Sequence, residues 1–168
     1  EVQEAGFKGF RFAERNASGN LVAAGARPEY FPVYYAEPLI GNEKALGYDL
    51  ISNPERRMAM ERARDMGIPA VTAPVRLITD PDDQPGFVIF IPVYRGGRTP
   101  PAIEGRQAEL IGFILGAFRA AKFLKPVLET HVADDLVLRL SDIDDPANAS
   151  RPLHSAGITQ DTGLTWRQ

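Results

Sequence analysis

The chain has 168 residues, 44% of them hydrophobic, so it has room for one domain with its own core, or for one domain and part of a second. Its formal net charge is −3, and its lysines and arginines are spread along the chain, which argues against nucleic acid as a partner. It contains no cysteine, which excludes disulfides and thiol catalysis, and its 15 glycines and 14 prolines favour a sheet-containing fold over a helical bundle.

The first residues, 1–6, are typical of the end of a helix whose start lies outside this sequence. The chain starts at Glu1 without an initiator Met, and it contains no run of the about 18–20 apolar residues that span a bilayer. We therefore expect a part of a longer protein, with any targeting and membrane segments outside these residues.

A β-hairpin is predicted near the start of the chain. Apolar and polar residues alternate over Phe10–Glu14, turn-forming residues fill Asn16–Asn20, and Leu21–Ala23 follows as a second extended segment. Tyr30–Ala36 is a further strand candidate, although Pro32 cannot donate a hydrogen bond to a neighbouring strand.

The clearest helix signal covers Pro54–Met66. Asn53 is placed to cap the helix, Pro54 suits the first helical position, and Gly67 follows the last turn. The predicted core stripe of this helix consists of Ala59, Ala63 and Met66, with Met60 beside it.

The second half of the chain contains several segments that are predicted to be strands. Val71–Leu77 is a short extended segment, and Phe87–Tyr94 is an almost continuous apolar strand that requires cover on both faces. Leu110–Phe118 is its expected antiparallel neighbour. A short helix is predicted over Lys122–Leu128. Apolar and polar residues alternate over Leu136–Leu140, which predicts a strand. This order predicts an α+β fold, an antiparallel sheet flanked by helices.

No catalytic, metal-binding or cofactor-binding residue is predicted. His131 and His154 have no neighbouring ligands at a metal-binding spacing, and no serine lies in a G-x-S-x-G context. The stretch Gly41–Gly47 lacks the Gly-Lys-Ser/Thr ending of a phosphate-binding loop and is interpreted as an ordinary loop.

Charged residues cluster around the predicted helix. Arg56 and Arg57 lie in its first turn, where basic side chains oppose the helix dipole. One interpretation is two solvated arginines, and the other is an anion-accepting corner formed with the free N–H groups of the first turn. Arg76, among apolar neighbours, is expected to form a structural ion pair with Asp49.

Several segments together resemble one family, the CHASE domain. They are, in chain order, Tyr30–Pro38, Gly41–Glu43, Leu46–Asp49, Glu61–Gly67, Thr72–Leu77, Gly86–Tyr94 and Gly112–Phe118. The resemblance covers roughly residues 10–128.

The resemblance implies a PAS-like fold and a sensor function outside the cytoplasm. Residues 1–128 would form a membrane-distal, ligand-binding module, and residues 129–168 would begin a second PAS-like part nearer the membrane. The intact receptor would carry flanking transmembrane helices and a histidine kinase or diguanylate cyclase output domain, and it would be a homodimer. This chain alone is expected to be a monomer or a weak dimer.

The resemblance also implies a set of ligand-binding positions. In this sequence they are Tyr48, Arg56, Thr72, Ile78, Ile91, Phe113 and Gly116. Arg56 occupies the position at which cytokinin-binding members carry an acidic residue that holds the adenine ring. The reversed charge predicts an anionic small molecule as ligand. The alternatives are that Arg56 turns outward and the ligand is wholly apolar, or that there is no ligand.

Two further classes of function compete with the small-molecule sensor. A protein-interaction or dimerisation module without a small ligand predicts a filled pocket and an exposed apolar patch. An enzyme is the weakest interpretation, because no catalytic constellation is recognisable.

Overall fold

The protein is described by a computed structural model that covers residues 10–79, 85–120, 122, 138–140 and 154–156. Its α-helices are α1, Pro54–Met66, and α2, Ile103–Glu109. Its strands are β1 Ala13–Arg15, β2 Leu21–Ala23, β3 Ala70–Val71, β4 Val75–Arg76, β5 Pro85–Tyr94, β6 Leu110–Arg119, β7 Leu138–Leu140 and β8 His154–Ala156. Single 3₁₀ turns lie at Glu43–Ala45, Leu50–Ser52 and Arg95–Gly97.

The predicted hairpin is confirmed as β1 and β2, which pair antiparallel from Ala13 with Ala23 to Arg15 with Leu21. The turn is stabilised by the Asn16 side chain, whose Oδ1 accepts hydrogen bonds from the N–H groups of the next turn residues, Ser18 and Asn20, each at 3.0 Å. This is the local bonding that makes asparagine a turn former.

Helix α1 has the predicted ends. The Asn53 side chain accepts a hydrogen bond from Arg56 N at 3.0 Å, and Gly67 closes the helix in the left-handed conformation with φ +71°. The buried residues of α1 are Arg56, Ala59, Met60 and Ala63. The prediction that Met66 continues this core stripe was wrong, because Met66 in the last turn is exposed.

The main sheet is built around β5. Strand β6 pairs antiparallel with it along one edge, from Gly86 with Arg119 to Tyr94 with Leu110, which confirms the predicted pairing. The predicted extended segment Val71–Leu77 contains β4 and the end of β3, and both strands pair antiparallel with the other edge of β5. The sheet with its two flanking helices is an α+β, PAS-like arrangement.

Helix α1 covers one face of this sheet, and the core lies between them. The buried core residues include Tyr48, Leu50, Ile51, Ala59, Met60, Ala63, Ala70, Val75, Leu77, Val88 and Phe90. Several of them come from the turn that precedes α1, so this turn and α1 are packed as one unit against the sheet.

The remaining predictions have mixed outcomes. Tyr30–Ala36 is not a strand, because its only strand-type pairing in the described structure is the isolated bridge between Pro32 and Asp49. The predicted helix Lys122–Leu128 lies, apart from Lys122, outside the described residues. Within Leu136–Leu140 the last three residues form β7, which pairs with β8. None of the described helices has the length and apolar character needed to cross a membrane.

Candidate ligand-binding site

Tyr48 and Asp49 are held in place by backbone bonds on both sides of their segment. On one side, Ala13 N donates to Gly47 O at 2.9 Å and Asp49 N donates to Ala13 O at 2.7 Å. On the other side, Val33 N donates to Tyr48 O at 3.0 Å. These bonds tie the segment to β1 and to the stretch before it, so both side chains enter the core in fixed positions.

Arg56 is the most unusual residue of the core, because its charged side chain is only 3% exposed. Its Nη1 donates to the Tyr48 hydroxyl oxygen at 3.3 Å, and its Nη2 donates to Arg76 O at 2.7 Å. The guanidinium carbon lies 5.3 Å from the centre of the Tyr48 ring, within the range of a cation–π contact. Arg56 is therefore turned inward, toward the β4 edge of the sheet.

A second arginine reaches the same region from the hairpin. Arg15 Nη1 donates to Gly19 O at 2.7 Å, and Arg15 Nη2 lies 3.4 Å from Leu77 O. Arg15 Nε is buried, and no hydrogen-bond partner for it exists among the described residues. We call Arg15, Tyr48 and Arg56 together the arginine cluster.

No acidic side chain among the described residues forms an ion pair with the arginine cluster. Within the described part of the chain, no carboxylate lies within 4.0 Å of either guanidinium. Burial lowers the pKa of the Arg56 guanidinium most, and the positive charge of Arg15 also lowers it, whereas the Tyr48 hydroxyl group and the more distant negative charge of Glu55 raise it in part. The site is thus a buried region of positive charge.

Asp49 has a different ionic partner from the one predicted. Its side chain is fully buried, Oδ1 accepts a hydrogen bond from Phe31 N at 2.8 Å, and Oδ2 makes an ionic contact with Arg27 Nη1 at 3.1 Å that is not aligned as a hydrogen bond. Arg27 also contacts Glu14. The prediction of an Asp49–Arg76 pair therefore needs correction: Arg76 follows the buried Val75 in β4, so strand alternation turns its side chain outward.

A cleft lies between α1 and the start of β6, on the side of α1 away from β4. Its apolar floor includes Phe31 and Phe113, whose rings contact each other at 5.7 Å. Its free volume is about 20 Å³, room for about one water molecule. The lining residues are Glu29, Phe31, Ile51, Arg57, Met60, Glu61, Arg64, Leu110 and Phe113.

The rim of this cleft carries both signs of charge. Arg57 and Glu61 form an exposed ion pair on α1 at 3.9 Å. The guanidinium of Arg64 is bonded to Asp65 at 2.7 Å, and this bond raises the pKa of Arg64 and lowers the pKa of Asp65. The cleft therefore differs chemically from the arginine cluster, which contains basic groups and no acid.

The structure brings together only some of the predicted ligand residues. Tyr48 and Arg56 are in contact, and Phe113 lines the cleft. Thr72 is bound to β5, since its N–H donates to Val88 O at 2.9 Å and its Oγ1 accepts from Val88 N at 3.0 Å. Ile78 is partly buried against the core.

Ile91 and Gly116 lie on the opposite face of the sheet from α1. Phe90 and Phe113 contact each other at 5.9 Å on the α1 side, and neighbouring residues of a strand point to opposite faces. Ile91 therefore points away from α1, as does Gly116, which is paired with Ile89. Two of the predicted ligand residues are thus separated from the others by the sheet.

The sequence analysis missed Arg15 and Arg27. Both lie in segments that look like ordinary turns and strands. The contacts of Arg15 with Leu77 and of Arg27 with Asp49 join residues that are far apart in the sequence. Neither residue had a local signal that marked it. Among the described residues, no group of three or more His, Asp or Glu side chains is arranged to hold a metal ion.

Comparison with known proteins assigns the family. Residues 1–151 match the family model described as the CHASE domain. The chain belongs to the CHASE domain family. CHASE domains are sensor domains of histidine kinase receptors, and they are generally extracellular parts of membrane receptors. The predicted resemblance is confirmed.

Similar proteins are much longer than this CHASE domain. Hybrid signal transduction histidine kinase A of Dictyostelium discoideum is 29% identical over 130 residues, which is 73% of this chain and 6% of that protein. Probable histidine kinase 4 of Oryza sativa subsp. japonica is 30% identical over 141 residues, 83% of this chain and 13% of its own length. Probable histidine kinase 6 of the same organism is 29% identical over 137 residues, which is 80% of this chain and 13% of that protein.

Proposed function

We propose that this CHASE domain is the extracytoplasmic, small-molecule-sensing part of a transmembrane receptor with a histidine kinase or diguanylate cyclase output domain. The observation that carries the proposal is the cleft between α1 and β6, with its aromatic floor and charged rim. Ligand sites in proteins combine an apolar lining with a few polar groups in this way. The names of the relatives, all histidine kinases, support the receptor context.

Because the cleft is small, the sensor hypothesis requires it to open when a ligand binds. Small-molecule pockets have volumes of about 300–1,000 Å³, whereas this cleft holds about 20 Å³. Ligand entry therefore requires α1 to move away from β6, and a ligand that binds only the open form shifts the population toward it. Near-complete switching requires about 5.5 kcal/mol of difference in binding free energy between the two forms.

The cleft is tested with two matched variants of β6. The 168-residue chain is screened against a library of neutral and charged small molecules by thermal shift, and hits are titrated by calorimetry. Phe113→Leu removes part of the cleft floor and is expected to weaken a hit about tenfold or more. Phe118→Leu, on the opposite face against Phe87, is the control that leaves affinity unchanged. Equal affinities in both variants would show that the cleft is not the site.

We propose the receptor arrangement implied by the family as a second step. Transmembrane helices would flank this region of the full-length protein, the intact receptor would be a homodimer, and residues 1–128 would form the ligand-binding module, with 129–168 opening the membrane-proximal part. Phosphatase fusions on either side of residues 1–168 in the full-length protein test the placement. A chain of residues 1–128 that folds but loses the ligand would contradict the division.

A second candidate function is a protein-interaction or dimerisation module without a small ligand. The observation that favours it is an exposed apolar strip on the sheet face away from α1, formed by Val71, Ile91 and Ile114, which are 52%, 43% and 63% exposed. Sedimentation velocity over a concentration series separates the two candidates. The sensor hypothesis expects a monomer or weak dimer, whereas the second candidate expects tight association that Ile114→Thr abolishes.

A further inference from the structure

We infer that the arginine cluster is a second binding site of the domain, for the carboxylate group of a small organic acid. The inference goes beyond the proposed function, because the arginine cluster lies on the other side of α1 from the cleft. It is argued from the contacts of Arg15, Tyr48 and Arg56, which lie on the β4 side of α1.

Arg56 is buried and forms no ion pair with an acidic side chain of the described residues. A buried charged group destabilises a fold unless an opposite charge or a full set of hydrogen bonds compensates it. A guanidinium has five N–H donors, and the hydrogen bonds of Arg56 to described residues are the two to Tyr48 Oη and Arg76 O. Arg56 therefore has hydrogen-bonding capacity beyond its two described partners, and an anionic ligand could use it.

Two guanidinium groups converge on one short stretch of backbone. Arg56 donates to the carbonyl of Arg76, and Arg15 lies against the carbonyl of the next residue, Leu77. Neighbouring Cα atoms are about 3.8 Å apart, so both side chains reach the same short stretch of backbone. Two positive groups this close repel each other, and an anion between them removes the repulsion.

The hydrogen-bonding groups of the arginine cluster suit a carboxylate. The planar forks of two arginines match the two oxygens of a carboxylate. Tyr48 Oη accepts a hydrogen bond from Arg56, which leaves the hydroxyl hydrogen to donate, and among the described residues none accepts it. All three side chains can therefore donate to a carboxylate, and the two guanidinium groups have no acceptor for an amine or a purine N–H.

Access to the arginine cluster is available from the hairpin. All three residues of β2 are exposed, and Arg15 on the paired strand β1 is only partly buried. The Arg15 contact with Leu77 O, at 3.4 Å, is the longer of its two hydrogen bonds. Exchange of this contact for a carboxylate would require the Arg15 side chain to move.

Calorimetric titration of the 168-residue chain tests the inference with citrate, succinate, benzoate and inorganic phosphate in a buffer free of other anions that bind arginine. We expect at least one carboxylate to bind, and Arg56→Gln and Arg15→Gln each to weaken it about tenfold or more, since each variant removes a charge-assisted pair. Arg98→Gln removes the same charge from an exposed position and is the control, with unchanged affinity. The bound acid is expected to raise the unfolding temperature of the wild type and of Arg98→Gln, and not of Arg56→Gln.

Three outcomes would overturn the inference. The first is that no carboxylate of the panel binds, and the second is that only phosphate binds. The third is that a carboxylate binds with equal affinity to wild type, Arg15→Gln and Arg56→Gln. Any of these outcomes, together with a neutral molecule that binds with sensitivity to Phe113→Leu, would leave the proposed function standing and disprove this inference alone. Absence of any hit, neutral or charged, would count against both.

Discussion

Gly47 fixes the position of Tyr48, because its backbone conformation and surroundings suit only glycine. Its φ is +79°, in the left-handed region that side chains disfavour. A Cβ atom at this position would overlap the carbonyl oxygen of Arg11. The close approach lets Gly47 bond to both β1 and Val33, and Tyr48 follows directly.

Gly47→Ala is therefore expected to destabilise the domain by about 3 kcal/mol or more, the sum of about 1–2 kcal/mol for the left-handed conformation and the cost of the overlap. Gly41→Ala is the matched control: its φ is +85°, yet nothing lies within 4 Å of the position of its Cβ. This variant is expected to lose only the conformational term. Urea unfolding of both variants gives the comparison, and equal losses would show that the contact with Arg11 relaxes freely.

Asp49 stabilises the same region through two contacts, a hydrogen bond from Phe31 N and an ionic contact with Arg27. Comparison of two substitutions at Asp49 distinguishes their contributions. Asp49→Ala removes the acceptor of Phe31 N and the ionic partner of Arg27, and we expect a loss of about 2–3 kcal/mol. Asp49→Asn keeps a neutral acceptor for Phe31 N, and about half of the loss should be recovered. Arg76→Ala is the comparison that the original ion-pair prediction requires: if it lowers the free energy of unfolding as much as Asp49→Ala, the assignment to Arg27 is wrong.

At the scale of elements, the cap of α1 links helix stability to the arginine cluster. Asn53 Oδ1 accepts from Arg56 N, so the same residue that enters the core is also held at the helix start. Asn53→Ala is expected to cost about 1 kcal/mol. Asn53→Ser retains an acceptor and should cost only a few tenths of this value. Thermal or urea unfolding measures both, and a loss of equal size in the serine variant would contradict the capping role.

The elements that the sequence predicted correctly are those with local signals. Asn53, Pro54 and Gly67 mark the ends of α1, the turn residues near Asn16 mark the hairpin, and the apolar runs mark β5 and β6. The strand prediction for Tyr30–Ala36 failed because the hydrogen-bond partners of this segment, Tyr48 and its neighbours, are distant in sequence and pair with it only around Pro32.

The candidate site was harder to predict, because its contacts join segments that are far apart. The sequence singled out Tyr48 and Arg56 by family resemblance, and the structure places them in contact. It gave no reason to join Arg15 to them, since that contact depends on how the hairpin packs near Leu77. Asp49 and Arg76 were paired from their positions along the chain, and strand alternation then placed Arg76 outside.

At the scale of the whole molecule, stability is concentrated in the middle of the main sheet. Ile89 and Phe90 of β5 are paired on both edges, with β3 on one side and β6 on the other. Phe90 is fully buried under α1. The hairpin of β1 and β2 has only three residue pairs, and the whole of β2 is exposed. The arginine cluster lies at the boundary between these two regions.

Hydrogen exchange measured by mass spectrometry or NMR tests this distribution. The amides of Ile89 and Phe90 can exchange only when the sheet opens, whereas those of β2 exchange when the short hairpin frays. We expect the β5 amides to exchange at least about 100-fold more slowly, equivalent to about 2.7 kcal/mol of opening free energy. Addition of an organic acid that binds Arg15 and Arg56 should slow exchange in the hairpin more than in β5, because it ties the less stable region to the more stable one. Equal protection of β2 and β5 without ligand would contradict this ranking and would mean that the hairpin opens only with the core.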